Sequence, residues 1–361
     1  MSIILFLLVL FVLVLVHEWG HFIVAKKTGM RVDEFGIGFP PKLYGIKKGE
    51  TEYTLNALPL GGFVKIWGEN YEDVAGADAE VDKSRGFSSR PKWAQALVLV
   101  AGISMNILFA WFLFSLTYMI GAPTAVDESL ATDKAELIVA GVLPDSPGVA
   151  LPAGAVVTSI AYGDKSITKP TPTEFSKAVV AIAPEPIIVS YTVGENSGGN
   201  ATLIPVKGLI KEDLDRYAVG VSLAMFETVK MPFFTAITEG FNSTWYGFKQ
   251  ISLGLVSMIS GQADLSQVAG PVGIVGMVGE AASFGITALL TFTAIISLNL
   301  AVVNLLPFPA LDGGRLVFVL IETVTKKQIP PEWAGRVNLV GFAILMLLMI
   351  AVTYSDITKL L

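Results

Sequence analysis

The chain has 361 residues, of which 53% are hydrophobic and only 16% charged, with a mean hydropathy of +0.63 and a formal net charge of −6. Soluble domains carry about a quarter charged residues, so this composition indicates a membrane protein, and the negative charge argues against a nucleic-acid partner. The absence of cysteine excludes disulfides, thiolate nucleophiles and cysteine-ligated metals, and leaves the redox compartment unreadable.

A bilayer core of about 30 Å takes roughly 20 helical residues to cross. The first stretch long and apolar enough is Ile3–Ala25, within residues 1–25. No basic region precedes it and no small-residue cleavage site follows it, so it reads as a retained helix rather than a signal peptide. Residues 26–93 then alternate short apolar runs with glycine and proline, and Glu52–Leu55 and Gly62–Trp67 read as β-hairpins. The run "PLGGFVKIW" is apolar enough to enter the membrane interface, whereas Glu69–Arg90 reads as an acidic surface loop.

Ala94–Ile120 is the second candidate span. Residues 124–208 have the composition of a small soluble domain, with five or six β-type runs and the amphipathic helix "TPTEFSKAVVAI", which suggests a small barrel or sandwich. Within 209–285, Phe233–Ile259 is long and fairly apolar but carries Glu239, Asn242, Lys249 and Gln250. It reads as an amphipathic helix, lying at the outer membrane surface or packed against the bundle. Ile286–Leu306 is the third span, with a proline-broken continuation to residue 324, and Val337–Tyr354 the fourth. Basic residues cluster at Lys26, Lys27 and Arg31, at Arg85, Arg90 and Lys92, and at Arg315, Lys326, Lys327 and Arg336. Those loops are therefore expected in the cytoplasm, with the N-terminus and residues 124–208 outside.

The chemistry concentrates in "HEWGH" of the first span. His17 and His21 are the only histidines, and residues four apart share a helix face, so both imidazoles can point at one ion. Two randomly placed histidines would be four apart in about one case in 180, before requiring the adjacent Glu18 that HExxH metallopeptidases use on a metal-bound water. A pair of bundle-facing histidines bonded to other helices is the plainer alternative. Catalytic zinc takes three protein ligands and keeps one position open, so with no further histidine and no cysteine the third must be a carboxylate. Asp312, in "NLLPFPALDGGRL" at the cytoplasmic end of the third span, stands out. Pro307, Pro309 and the Gly313–Gly314 pair should break the helix there, and broken backbone at membrane depth is tolerated only beside a cavity or inside protein. Asp312 could instead cap the helix that follows. Asn304, before the break, is a candidate substrate or oxyanion contact, or else a packing residue.

HEWGH, "NLLPFPALDGG" and a small domain between them resemble the site-2 protease family of intramembrane zinc peptidases, specifically its bacterial RseP-like branch with a single PDZ domain. "GIGFPPKLYG…LPLGGFVKIWGE" resembles that family's membrane-associated β-loop, and "AGVLPDSPGVALPAGAVVTSI" the start of its PDZ domains. "GQADLSQVAGPVGIVG" and "YSDITKLL" also match. The second span departs from the pattern, reading "AGISMNILFAW" where the family has Gly-Pro before Asn106. The resemblance implies a four-span helical membrane protein of the bacterial inner membrane, with a β-hairpin loop and one extracytoplasmic PDZ-like α+β domain. It implies Zn2+ on His17, His21 and Asp312, with Glu18 as catalytic base. The substrates would be single-span membrane proteins, such as anti-sigma factors or remnant signal peptides, after a first cleavage. The hairpin residues Tyr53, Leu55, Gly62, Phe63 and Val64, with Asn304 and Pro307, are candidate substrate contacts, because an extended peptide can pair with an exposed sheet edge. A plain interfacial hairpin is the alternative. A metal transporter or an inactive PDZ-bearing scaffold are rival readings of the whole chain.

Overall fold

A computed structural model describes residues 2–69, 82–193, 197–209, 215–261 and 269–360. Most of the expected acidic loop and most of "GQADLSQ" lie outside these residues. Four described helices are long and apolar enough to cross a membrane: α1 (Ser2–Lys27), α2 (Lys92–Ile120), α6 (Ile286–Leu305) and α8 (Pro331–Leu360). They coincide with the four expected spans, each within a few residues except α8, which extends the fourth at both ends. The chain divides into two compact units, one of residues 1–116, 237–281 and 290–361, the other of residues 117–236 and 282–289.

In the first unit, α1 buries Val9, Leu13, His17, Gly20, His21 and Ala25, spaced so that they form one stripe. Helices in lipid gain nothing from the hydrophobic effect on associating, so close backbone approach at small residues and interhelical hydrogen bonds hold them. Gly20 shows this: a Cβ there would lie 2.5 Å from the Ala101 carbonyl oxygen of α2. Ser297 of α6 donates to the Asn106 carbonyl of α2 over 2.8 Å. Helix α4 (Phe233–Ile259) packs on the same bundle. Trp111 Nε1 donates to the Ile237 carbonyl, Gly240 lies against Ser115, and a Cβ on Gly247 would meet Leu298 at 2.9 Å. Of the two placements open for Phe233–Ile259, packing against the bundle is the one observed. Asp356 of α8 accepts from the Gly270 and Gly273 N–H groups at 3.1 and 2.8 Å and so caps α5 (Pro271–Ser283), a helix that the glycine-rich sequence had concealed.

Strands β1 (Val32–Lys48) and β2 (Thr51–Ile66) each double as two segments of one sheet. Residues 42–48 pair antiparallel with 51–56, and 32–37 pair antiparallel with 62–66. Between them the register Glu34–Glu52, Phe35–Tyr53, Gly36–Thr54, Ile37–Leu55 advances in the same direction on both strands. Tyr53 and Leu55 are therefore interior, paired on one side with Phe35 and Ile37 and on the other with Ile46 and Tyr44. This corrects the expectation that Tyr53–Leu55 offers an edge to an added strand. Within this sheet the two edge segments, each paired on one side only, are residues 42–48 and Gly62–Ile66, and of these Gly62–Ile66 carries residues that line the cavity described below.

An ion-pair clasp ties this sheet to the end of α1. Glu50, in the turn between β1 and β2, accepts from Arg85 Nη1 and Nη2 at 2.6 and 2.8 Å and from Lys26 Nζ at 2.7 Å. The Arg85 guanidinium, then the Lys26 ammonium, hold the Glu50 carboxyl down to about 2. A depressed native value means that the clasp contributes fully above the ordinary carboxylate range and is lost as pH falls toward 2. Because the cluster is about one third exposed and so screened by solvent, its contribution is about 1 kcal/mol or less. Thermal melts between pH 5 and 3 should show the wild type losing stability over that window faster than Glu50→Gln does.

The second unit is a seven-stranded antiparallel sheet in the order β3 (Ala122–Val126), β9 (Val221–Val229), β4 (Glu136–Val142), β5 (Val156–Tyr162), β7 (Ile187–Val193), β8 (Ser197–Leu203), with β6 (Lys165–Thr168) paired to β5. Helix α3 (Pro172–Ile182) begins with a capping box. The Thr171 hydroxyl accepts from the Glu174 N–H at 3.2 Å, and Glu174 accepts from the Thr171 N–H at 2.9 Å. Phe175, Ala178 and Val179 of α3 pack on Leu137, Val157, Ile160 and Val189 to form an ordinary soluble core. The unit is wider than the expected 124–208, because β9 returns from beyond it to pair with both β3 and β4.

Candidate metal centre

His17 and His21 lie on the buried stripe of α1, where α2 passes closest. His21 Nδ1 is 2.8 Å from the Val98 carbonyl, which can only accept, so Nδ1 carries the proton and Nε2 of the neutral ring presents a lone pair. His17 Nδ1 lies 3.2 Å from the Asn106 side-chain amide, whose Oδ1 is buried without a partner. A half-turn of that amide sets Oδ1 against Nδ1–H and satisfies both groups, leaving His17 Nε2 with its lone pair as well.

The third group arrives from the helix break. Chain 306–311 interrupts α6 and α7 (Asp312–Thr325), at Pro307 and Pro309 as expected. Ala310 takes φ +74°, and its N–H donates over 3.2 Å to Asn338 Oδ1 of α8. A Cβ on Gly313 or Gly314 would overlap the carbonyls of Leu305, Leu306 or Phe308, so only glycine lets α7 start this close to the end of α6. Asp312 is the first residue of α7, not its cap: Leu311 holds the cap position and makes no side-chain bond. The carboxylate turns inward at a helix N-terminus, where the dipole favours an anion.

The three ligand-type atoms then converge. His17 Nε2 and His21 Nε2 are 3.1 Å apart, and Asp312 Oδ2 is 3.1 and 3.3 Å from them. Three lone pairs facing one another need a cation between them. A tetrahedral ion with bonds of about 2.0–2.1 Å sets its ligand atoms about 3.3 Å apart, so the trio fits a zinc-sized ion. The Asp312 oxygen is buried and otherwise unsatisfied.

Around the trio is a cavity of about 200 Å³, room for several water molecules. Glu18 lines it, and the Val64 N–H donates to the Glu18 carboxylate. Phe63 and Val64, on the strand edge, also face it, and Gly62 stands where a Cβ would fall 2.8 Å from the Gly36 carbonyl. Asn304 is half-buried near the end of α6, and Pro307 is exposed in the break; neither lines this cavity. Tyr53 packs instead against Phe22 and Phe35.

Sequence reasoning missed Gly102, whose missing side chain makes room for both imidazoles. It also missed the paired Arg315 and Glu69 at the cavity wall. Val98, Gly102 and Asn106 recur every four residues, a signal that one face of α2 serves a single site.

Two histidines and a glutamate of a helix long enough to cross a membrane, with an aspartate of α7 closing on the same point, form the site expected of a metalloprotease of the membrane-protein type. The chain belongs to Peptidase family M50, whose sequence profile matches residues 5–348. Among similar proteins, CPE1693 of Clostridium perfringens is 39% identical over 363 residues, covering 99% of this chain and 98% of its own. Zinc metalloprotease RasP of Geobacillus kaustophilus is 30% identical, with 99% and 98% covered. Regulator of sigma-W protease RasP of Bacillus subtilis is 29% identical, with 99% of each chain covered.

Proposed function

We propose that this chain is an intramembrane zinc endopeptidase that cleaves single-span membrane proteins within or near their transmembrane segments. The observation that carries the reading is the meeting of His17, His21 and Asp312 atoms within 3.3 Å of one another, with Glu18 in the same cavity. His17, His21 and Asp312 would hold the ion. Zinc, when bound, supplies the Lewis acidity that lowers the pKa of a water toward about 7 and polarises the scissile carbonyl. Glu18 takes the proton of the attacking water and delivers it to the departing nitrogen as the C–N bond breaks. His21 is oriented by the Val98 carbonyl and His17 by Asn106, so neither ring needs to reorient during turnover.

A substrate helix hides its peptide bonds and must open before attack. Gly62–Ile66, an edge segment of the sheet, borders the cavity, which supports docking of the opened segment there as an added strand. Phe63→Pro should leave zinc content unchanged and reduce cleavage at least tenfold; unchanged cleavage would dismiss the strand-docking idea.

The second unit, with its capped helix on an antiparallel sheet, is read as a PDZ-like extracytoplasmic module that filters substrates by size or holds a trimmed end. The basic loops support a reading in which the active site lies toward the cytoplasmic face of a bacterial inner membrane. The name of the B. subtilis relative and the resemblance in sequence motifs favour substrates such as anti-sigma factors, or remnant signal peptides, after a first cut by another protease. The test is cleavage of a panel of single-span proteins by the purified full chain. Chelation should abolish it and added zinc restore it; chelator-resistant cleavage, or none of any substrate, ends the reading.

A further inference from the structure

Peptide hydrolysis puts negative charge on the carbonyl oxygen as the water oxygen bonds to carbon, and a second positive group facing that oxygen accelerates the step. Among the described residues lining the cavity, Arg315 is the one permanently charged cation; Glu18, Asp312 and Glu69 are acidic and the histidines are neutral as ligands. It stands three residues after Asp312 on α7, hence on the same face one turn on. Asn304, the residue the sequence offered for this task, does not line the cavity.

The guanidinium is held by an ion pair. Glu69, in the turn that follows the Gly62–Ile66 edge, is ion-paired with Arg315 Nη1, leaving the Nε and Nη2 donors free of that pair. The same two residues also line a neighbouring cavity between α2, α7 and α8, where Lys92 and Glu322 pair at 2.5 Å. Arg315 therefore lines both cavities, the catalytic one included, and is paired to a residue three positions beyond the sheet segment on which the substrate strand would lie.

We propose that Arg315 is a further catalytic residue that donates to the carbonyl oxygen of the scissile peptide as charge develops there. The inference rests on the peptidase reading above. As water adds, the carbonyl π pair moves to that oxygen, Glu18 receives the water proton, and Arg315 binds the resulting anion without giving up a proton. When the pair returns, the C–N bond breaks and the nitrogen leaves with the proton from Glu18.

The test uses the full chain with Arg315→Met and Arg315→Lys, following zinc content, kcat and KM on a cleaved single-span substrate. It also follows equilibrium affinity for a phosphinic analogue of the cleaved segment against the uncleaved segment on a Glu18→Gln background. For Arg315→Met we expect full zinc, kcat lower by about 100-fold, KM within threefold, and phosphinic affinity lower by a similar factor with that for the uncleaved segment unchanged. Lysine should recover at least tenfold of the lost kcat, since charge is the essential property. If Arg315→Met binds no zinc, the lysine variant decides alone: full zinc with kcat within tenfold of wild type supports the role. The inference is overturned if kcat falls less than threefold, if the loss lies in KM, if both ligands weaken equally, or if lysine does no better than methionine. A wild type that cleaves nothing, or a Glu18→Gln protein that still cleaves, sinks the peptidase reading instead.

Discussion

Gly102→Ala should empty the metal site, lowering zinc affinity at least 100-fold and cleavage with it. An ideal Cβ at this position lies 2.6 Å from Cε1 of His21 and 2.8 Å from Cε1 of His17, closer than any carbon pair tolerates. The rings have no easy retreat. His21 is tied to the Val98 carbonyl on the same helix, and the backbones of α1 and α2 already touch where Gly20 meets Ala101. Relief requires either parting the helices or turning an imidazole away from Asp312, and both open a triangle whose edges must stay near 3.3 Å to grip one ion. Gly254→Ala is the internal control: that glycine sits within α4 with open space around it, so the change should leave zinc and cleavage intact and gain about 0.5–1 kcal/mol of helix stability. Zinc stoichiometry by mass spectrometry, read beside thermal melts, separates loss of the site from loss of the fold. Full zinc in Gly102→Ala would refute the packing account.

Glu18→Gln should keep zinc and lose turnover by 10²- to 10⁴-fold, the range that positioned general acid–base groups supply. The amide has the size of the carboxylate and cannot accept the water proton, and Glu18 is not one of the three groups that meet at the ion position. The substitution also separates rival uses of the same cluster. A metal transporter needs the three ligands but no base, so it would still move metal with glutamine at 18. An inactive scaffold would show no turnover in the wild type. The measurement is single-turnover cleavage with bound zinc quantified on the same preparation.

Elements defined by local periodicity were readable from the chain. The apolar runs of α1, α2, α6 and α8 needed only length and hydropathy, because lipid imposes both on any helix that crosses it. The i, i+4 histidines and the doubled prolines and glycines before and after Asp312 carried their meaning in spacing alone. Strand order did not. Tyr53–Leu55 looked as open as Gly62–Ile66, since alternation reports which faces are apolar and says nothing of which edge is already paired. Helix α5 was hidden by its glycines, and its start is capped by Asp356 from 83 to 86 residues away, a bond no local rule can see. Strand β9 was missed for a similar reason: its partners β3 and β4 lie about 80 to 100 residues upstream.

The sequence by itself determined a helical membrane protein with one pair of imidazoles able to face a common ion, because those facts depend on composition and on the pitch of a helix. The sequence also pointed to Asp312 as the carboxylate that joins them, but that it meets them, which carbonyl and amide orient them, why position 102 must be glycine, and that Arg315 lines the same cavity were decided only by tertiary structure. Each of these is a meeting of segments between about 80 and 300 residues apart, brought together by close backbone packing at glycines such as Gly20 and Gly102.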